Sequence, residues 1–243
     1  MTGRGSGPGD SDGDDGGQYA SAPCLAHELS PADLGLATGD EAERRARVLR
    51  WRKGERRRLI EMRLALDPAE RTRRTRAIEA VLDAAVGGVD GVTIALYWPL
   101  RGEPDLRAWI RRALARGARC ALPVVVERAR PLVFRAWSPG ERLERGVWNI
   151  PVPAEGETVM PDVVIAPVVG FDHQCFRLGH GGGYYDRTLA AMAVRPRVFG
   201  IGYACARIAS IHPLSHDVAM DAVVTEEGFF ERETHGPDVR GRR

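Results

Sequence analysis

Val163-Val-Ile-Ala-Pro-Val-Val169, followed shortly by Arg177-Leu-Gly-His-Gly-Gly-Gly-Tyr-Tyr-Asp-Arg187, decides how this chain is read. The first run is apolar throughout and rich in β-branched residues, the pattern of a strand buried on both faces. The second places four glycines within five residues, then two tyrosines, an aspartate and flanking arginines. Glycine has no Cβ and tolerates φ > 0, so such a run lets backbone N–H groups converge on an anion. The chain from Tyr184 predicts a helix over 184–193. A glycine-rich loop feeding a helix N-terminus is a ready phosphate site, because orphan donors and the helix dipole act in the same direction. Asp186 stands where a carboxylate can hold a metal ion against those phosphates.

On either side, short Val- and Ile-rich runs alternate with helical patterns. Strands are predicted over 92–97, 120–126, 131–137, 163–169, 198–203 and 222–225. Helices are predicted over 41–66, 69–86 and 106–115. Asp67-Pro68 ends the first helix and starts the second, with Pro68 at the first helical position, and Gly87-Gly88 stops it. Strands separated by helices predict an α/β fold: a three-layer Rossmann-like sandwich with a largely parallel central sheet, preceded by two N-terminal helices. Sites in such sheets lie beyond the C-terminal strand ends, where the loop after Val169 falls.

Residues 1–40 are rich in Gly, Ser, Asp and Pro and poor in large apolar side chains. They bury too little surface to offset ordering entropy and are expected to be a disordered tail, as is 231–243. A single domain over 41–230 is expected between them. Hydrophobic content of 44% suffices for a core. No apolar run approaches membrane-spanning length, and the N-terminus lacks the basic-then-apolar order of a secretory signal. Cys24, Cys120, Cys175 and Cys205 form no CxxC pair. They are read as free thiols in a reducing cytoplasm, with neither zinc nor a disulfide expected. A net charge of +2 is too near neutral to imply nucleic acid. The arginines between Arg44 and Arg76 are interleaved with Glu55, Glu61, Asp67 and Glu70, which breaks up a phosphate-binding stripe. Lys53 is the only lysine in the chain.

The glycine loop does not read as a dinucleotide fingerprint, since no acidic residue follows about 20 positions on at a second strand end. Nor is it a Walker A loop, since no Gly-Lys-Ser/Thr follows. A plain tight turn without a ligand leaves the attached arginines, tyrosines and aspartate without a purpose.

Phe171-Asp172 followed by Arg177-Leu178-Gly179-His180-Gly181-Gly182-Gly183-Tyr184-Tyr185-Asp186-Arg187 closely resembles the 5-formyltetrahydrofolate cyclo-ligase (methenyltetrahydrofolate synthetase) family. Tyr97-Trp98-Pro99-Leu100-Arg101-Gly102-Glu103-Pro104-Asp105 resembles its segment with a folate-site glutamate. Trp148-Asn149-Ile150-Pro151 resembles its substrate-side loop, and His216-Asp217-Val218-Ala219-Met220-Asp221 its C-terminal acidic motif. Ala65-Leu66-Asp67-Pro68-Ala69-Glu70-Arg71 resembles its first helix–helix junction.

The resemblance implies an enzyme that uses ATP as co-substrate and Mg²⁺ to convert 5-formyltetrahydrofolate to 5,10-methenyltetrahydrofolate, releasing ADP and phosphate. Arg177, Leu178, Gly179, His180, Gly181, Gly182, Gly183, Tyr184 and Tyr185 are implied to wrap the ATP phosphates. Asp186 and Asp217 are implied Mg²⁺ ligands, which suits an ion that takes few carboxylates plus phosphate oxygens and water. Glu103, Arg177 and Tyr185 are the implied catalytic groups. Trp98, Glu103, Trp148 and Tyr185 are implied to contact the folate. The first helix is implied to supply two cations, a Lys and an Arg four residues on. Gapless counting from Ala65-Leu66 gives Arg52 and Arg56; Lys53 and Arg57 satisfy the spacing with one deletion. One residue rotates a helical side chain by about 100°, so one pair faces the site; the gapless pair is preferred. Nucleic acid and membrane partners are not implied, and monomer and homodimer both stay open. Departures from the family pattern are Val152 for a glutamate, Cys175 for a glycine, Ala206 for a glutamine and Ser215 for a glutamate. They leave a second reading open, a member that binds folate or nucleotide without turnover.

Overall fold

In a computed structural model, which describes residues 39–232, the chain opens with two helices, α1 (Gly39–Leu64) and α2 (Pro68–Val86). The expected tails fall outside the described residues apart from 39–40, which begin α1, and 231–232, where the last strand ends. Asp67 caps α2: its carboxylate accepts the N–H groups of Ala69 and Glu70, and Pro68 occupies the first turn. Then follow β1 (Thr93–Ala95), α3 (Arg107–Ala115), β2 (Arg119–Val124) and β3 (Val133–Ala136). The hairpin β4 (Leu143–Arg145) and β5 (Pro151–Pro153) flanks a 3₁₀ turn at Val147–Asn149. After β6 (Val163–Pro167) comes a second small hairpin, β7 (Gly170–Phe171) and β8 (Arg177–Leu178). The chain ends with α4 (Tyr184–Ala191), β9 (Arg197–Ile201), β10 (Ala222–Thr225) and β11 (Gly228–Glu231).

Seven strands form one sheet in the order β11-β10-β9-β6-β1-β2-β3. The five inner strands are parallel, and β11 and β3 close the edges antiparallel. Successive side chains of a strand point to opposite faces, and the core divides accordingly. Ile94, Leu122, Val163, Ile165, Phe199, Ile201 and Val224 face α2 and α3, packing on Ile78, Leu82, Trp109 and Ile110. Ala95, Ala121, Val164, Ala166, Val198 and Val223 face the other way, onto Leu189 of α4 and onto Val168, Phe171 and Met220 of the connecting segments. This is the three-layer α/β sandwich with a mostly parallel sheet that the strand–helix alternation predicts. The two N-terminal helices have separate duties, because α2 belongs to the sandwich and α1 does not.

α1 is polar on nearly every side and carries nine arginines. Leu59 enters a small apolar cluster with Val169, Leu178 and Ile211. Arg52 and Arg63 are buried beside it. Residues 52, 56, 59 and 63 recur every three or four positions and so share one stripe. The partners of that stripe are backbone carbonyls and carboxylates at the C-terminal strand ends. Arg63, for example, donates to the carbonyls of Arg101 and Val168, beyond β1 and β6. The helix therefore lies across the strand ends and walls one side of the glycine loop.

Candidate functional site

The loop between β8 and α4 turns on Gly181 (φ 105°) and Gly183 (φ 61°), conformations that an L side chain adopts only with strain. Between them, a Cβ on Gly182 would stand 2.7 Å from the Tyr184 ring and 3.5 Å from Trp148. No side chain caps α4. Its first backbone bond is from the Arg187 N–H to the Gly183 carbonyl, 3.1 Å, so earlier N–H groups have no acceptor within the helix. These donors border the glycine loop, as an anion site requires.

Cations surround the loop. Arg56 Nε donates to the Gly179 carbonyl at 2.8 Å, and its guanidinium packs against Gly181. Arg52 shares the inward stripe with Arg56, while Lys53 and Arg57 are exposed. Arg187 Nη2 donates to the Gly182 carbonyl at 2.5 Å and its guanidinium lies over the Tyr184 ring. Arg177 Nη1 donates to the Val218 carbonyl at 3.0 Å. Its Nη2 lies 2.9 Å from Asp186 Oδ1, an ion pair out of line for a hydrogen bond. Arg63 Nη2, Arg177 Nη2 and Arg187 Nε are buried and lack a hydrogen-bond partner among the described residues. Buried donors without acceptors cost free energy, and ligand oxygens relieve that cost.

Three carboxylates enter the same region. Asp217 is held by Arg52 through both oxygens, at 2.5 and 3.2 Å, and also accepts the Leu214 N–H at 2.6 Å. Asp186 accepts the Val218 N–H on Oδ1 at 3.0 Å, so the two aspartates meet at the 214–218 segment. Asp186 Oδ2 makes no hydrogen bond among the described residues and suits a divalent ion whose other ligands are phosphate oxygens and water. Asp217 has both oxygens engaged; as a ligand it would have to give up Arg52. No group of three or more His, Cys, Asp and Glu side chains placed to hold a metal occurs among the described residues. Glu103, with a side chain 2% exposed, accepts the Leu100 N–H on Oε2 at 2.9 Å. Its Oε1 lies 2.8 Å from His180 Nε2 and 3.7 Å from Arg63 Nη2. Glu103 follows a turn at Arg101 and Gly102, both at positive φ.

The aromatic residues divide. Trp148 sits at φ 56° in the 3₁₀ turn, 40% exposed, edge-on to Tyr184 at 5.4 Å and over Gly182. Tyr185 lies beneath Arg177, 5.6 Å from ring centre to guanidinium, and burial together with Glu103 raises its phenol pKa. Trp98 is engaged elsewhere, edge-on to Trp137 at 6.0 Å with Arg107 over its ring. Thus Arg52, Arg56, Glu103, Trp148, Arg177, Leu178, Gly179, His180, Gly181, Gly182, Gly183, Tyr184, Tyr185, Asp186 and Asp217 border one region, while the ring contacts of Trp98 are with Trp137 and Arg107.

Two contributors are not singled out as site residues by sequence reasoning, although Asp172 belongs to the Phe171-Asp172 motif. Arg63 is one arginine among many until its burial beside Glu103 is seen. Burial lowers its pKa, and Glu103 opposes that shift. Asp172, also buried, accepts the N–H groups of Gln174, Phe176 and Ile211, tying the β7–β8 turn to the 211–218 segment. In that turn Cys175 adopts φ 59°, the left-handed conformation natural to the glycine whose place it takes.

A profile of the 5-formyltetrahydrofolate cyclo-ligase family matches residues 48–226. The chain is 34% identical over 145 residues to the 5-formyltetrahydrofolate cyclo-ligase of Mycolicibacterium smegmatis, covering 56% of this chain and 75% of that one. It is 32% identical over 146 residues to the cyclo-ligase of Escherichia coli K12, covering 57% and 80%. The solution structure of Aquifex aeolicus 5,10-methenyltetrahydrofolate synthetase superimposes with a TM-score of 0.67 at 27% identity, over 79% of this chain and 97% of that one. The chain is an enzyme that belongs to the 5-formyltetrahydrofolate cyclo-ligase family.

Proposed function

We propose that this enzyme closes 5-formyltetrahydrofolate to 5,10-methenyltetrahydrofolate at the expense of ATP. The N5-formyl group is amide-like, and its carbon resists attack by N10. The formyl oxygen takes the γ-phosphoryl group, the bond from that phosphorus to the β–γ bridging oxygen breaks, and ADP leaves. N10 then adds to the formyl carbon, loses its proton, and phosphate departs. Such transfer calls for alignment and charge neutralisation more than for a protein nucleophile.

The observation that carries this reading is the set of buried guanidinium donors with no hydrogen-bond partner among the described residues, Arg187 Nε foremost, around a glycine loop that opens a helix. Those donors and the α4 N–H groups orient the triphosphate, with Arg52 and Arg56 on its α1 side. Asp186 would hold the Mg²⁺ ion, which when bound neutralises phosphate charge. Glu103 positions the formylated pterin, and Trp148 and Tyr185 offer ring faces. The free thiols of Cys120, Cys175 and Cys205 suit the cytoplasmic location we propose, and no helix among the described residues is long and apolar enough to cross a membrane. Cys24 lies outside the described residues.

The test is a spectrophotometric and coupled ADP-release assay with purified protein, ATP, Mg²⁺ and 5-formyltetrahydrofolate. Appearance of the methenyl chromophore in step with folate-dependent ADP release is expected. ADP release indifferent to the folate, or none at all, overturns the proposal.

A further inference from the structure

His180 is the one residue with a side chain between Gly179 and Gly183, and that side chain reaches out of the nucleotide loop to the folate-site carboxylate. Its Nε2 lies 2.8 Å from Glu103 Oε1. A carboxylate oxygen accepts, so Nε2 carries the proton. The other oxygen of Glu103 is committed to the Leu100 N–H at 2.9 Å. The contact thus covers Oε1, the oxygen of Glu103 that takes no backbone N–H and that also lies 3.7 Å from Arg63 Nη2. Glu103 is almost wholly buried and His180 is one-third exposed, so the imidazole is the outer partner.

The residues on both sides of His180 are glycines, Gly179 and Gly181, and glycine absorbs a change of φ and ψ at little steric cost. Gly179 is held from outside through its carbonyl by Arg56 Nε at 2.8 Å, and Gly181 stands against the same guanidinium. A triphosphate that draws the loop amides and Arg56 toward itself shifts both neighbours of His180 together. Resting on the function proposed above, we propose that His180 is a latch on Glu103: it competes with folate for Oε1, and nucleotide seated on the glycine loop withdraws it. His180 is then a positioning residue that couples the two substrates, and each tightens binding of the other by the same factor.

The experiment titrates 5-formyltetrahydrofolate into wild type, His180→Ala and His180→Gln, with and without Mg²⁺ and an ATP analogue carrying an imido β–γ bridge. In the wild type the analogue should tighten folate binding on the order of tenfold. His180→Ala should bind folate without the analogue about as tightly as wild type does with it, and the coupling should shrink to within about twofold. His180→Gln, whose amide N–H can still reach a carboxylate, should keep an intermediate coupling. A merely structural histidine predicts the opposite sign, weaker folate binding in His180→Ala. That result, or full coupling retained in His180→Ala, overturns the latch. Independent binding of the two ligands by wild type, in a protein that still makes the methenyl product, overturns the latch and leaves the function standing. Failure of wild type to bind either ligand overturns both.

Discussion

Arg52 and Asp217 stand 165 residues apart in the chain and form a two-pronged ion pair, at 2.5 and 3.2 Å, with both side chains less than 8% exposed. Arg52 also donates to the carbonyls of Ile211 and His212. The pair fastens the first helix to the segment that also receives Asp186 and Arg177 through Val218. Removing one partner strands the other as a buried charge. Asp217→Ala should therefore lose roughly 3–5 kcal/mol of stability, read from urea or thermal unfolding. A loss below about 1 kcal/mol, the range of an exposed pair, would show that the pair is not a structural tie.

Asp186 should behave differently. Asp186→Asn keeps an oxygen that can accept the Val218 N–H and loses the charge that faces Arg177 and a divalent ion. Its melting curve should stay close to wild type, while folate-dependent ADP release should fall on the order of a hundredfold or more. Turnover near the wild-type rate at limiting Mg²⁺ would remove Asp186 from the metal site.

The α1 cations separate by face. Arg56→Ala should weaken binding of the imido ATP analogue by roughly tenfold or more, since a charged hydrogen-bond donor is lost from the loop. Lys53→Ala and Arg57→Ala, on the exposed side, should leave that affinity within about twofold. Equal losses from both pairs would mean that the helix face is misassigned.

Two glycines of the loop should part company. At Gly182 an added methyl meets the Tyr184 ring at 2.7 Å, so Gly182→Ala should cost about 1–3 kcal/mol through overpacking. At Gly179 nothing lies within 4 Å, so Gly179→Ala should fold with unchanged stability. A drop in nucleotide affinity in Gly179→Ala, measured by calorimetry, would then report close approach of the phosphates to that backbone. Equal stability of the two variants would contradict the packing around Tyr184.

Alkaline pH should weaken the fold. Burial raises Cys120 to about 12 and Cys175 to about 11, and it raises Tyr97 and Tyr185 above the ordinary phenol value. Each group releases its proton earlier in the unfolded chain than in the folded one. Their contribution is complete below about pH 9, the ordinary thiol value, and is lost as pH rises from there through the folded values of about 11 and 12. The melting temperature should fall steadily above pH 9, and Cys120 and Cys175 should resist alkylation at pH 8 until the protein unfolds. Rapid native-state alkylation of Cys120 would contradict its burial.

Much of the architecture is legible without coordinates. The run Val163–Val169 is continuously apolar, the alternation with helices is plain, and Asp67-Pro68 marks a helix start through its own capping chemistry. The glycine run states its purpose locally, because left-handed turns at Gly181 and Gly183 and a helix start at Tyr184 depend on neighbouring residues alone. The strands of the β4–β5 and β7–β8 hairpins have only two or three residues, and unlike β1 none of them sits in the middle of a longer apolar run, so they are silent in the sequence.

Tertiary structure decided which charges meet. Nothing local distinguishes Arg52, Arg56 and Arg63 from the other arginines of α1; burial against the strand ends singles out Arg52 and Arg63, and the bond to the Gly179 carbonyl singles out Arg56. Trp98 meets Trp137 across β2, which lies between β1 and β3 in the sheet, and no pattern around residue 98 records that contact. The bond from His180 to Glu103 spans 77 residues, and the bond from Arg52 to Asp217 spans 165. Helix, strand and turn preferences arise from steric and hydrogen-bonding effects over a few residues, so the chain alone specifies them. Ion pairs between distant segments depend on where the packed core sets the strand ends, and only the folded arrangement specifies those.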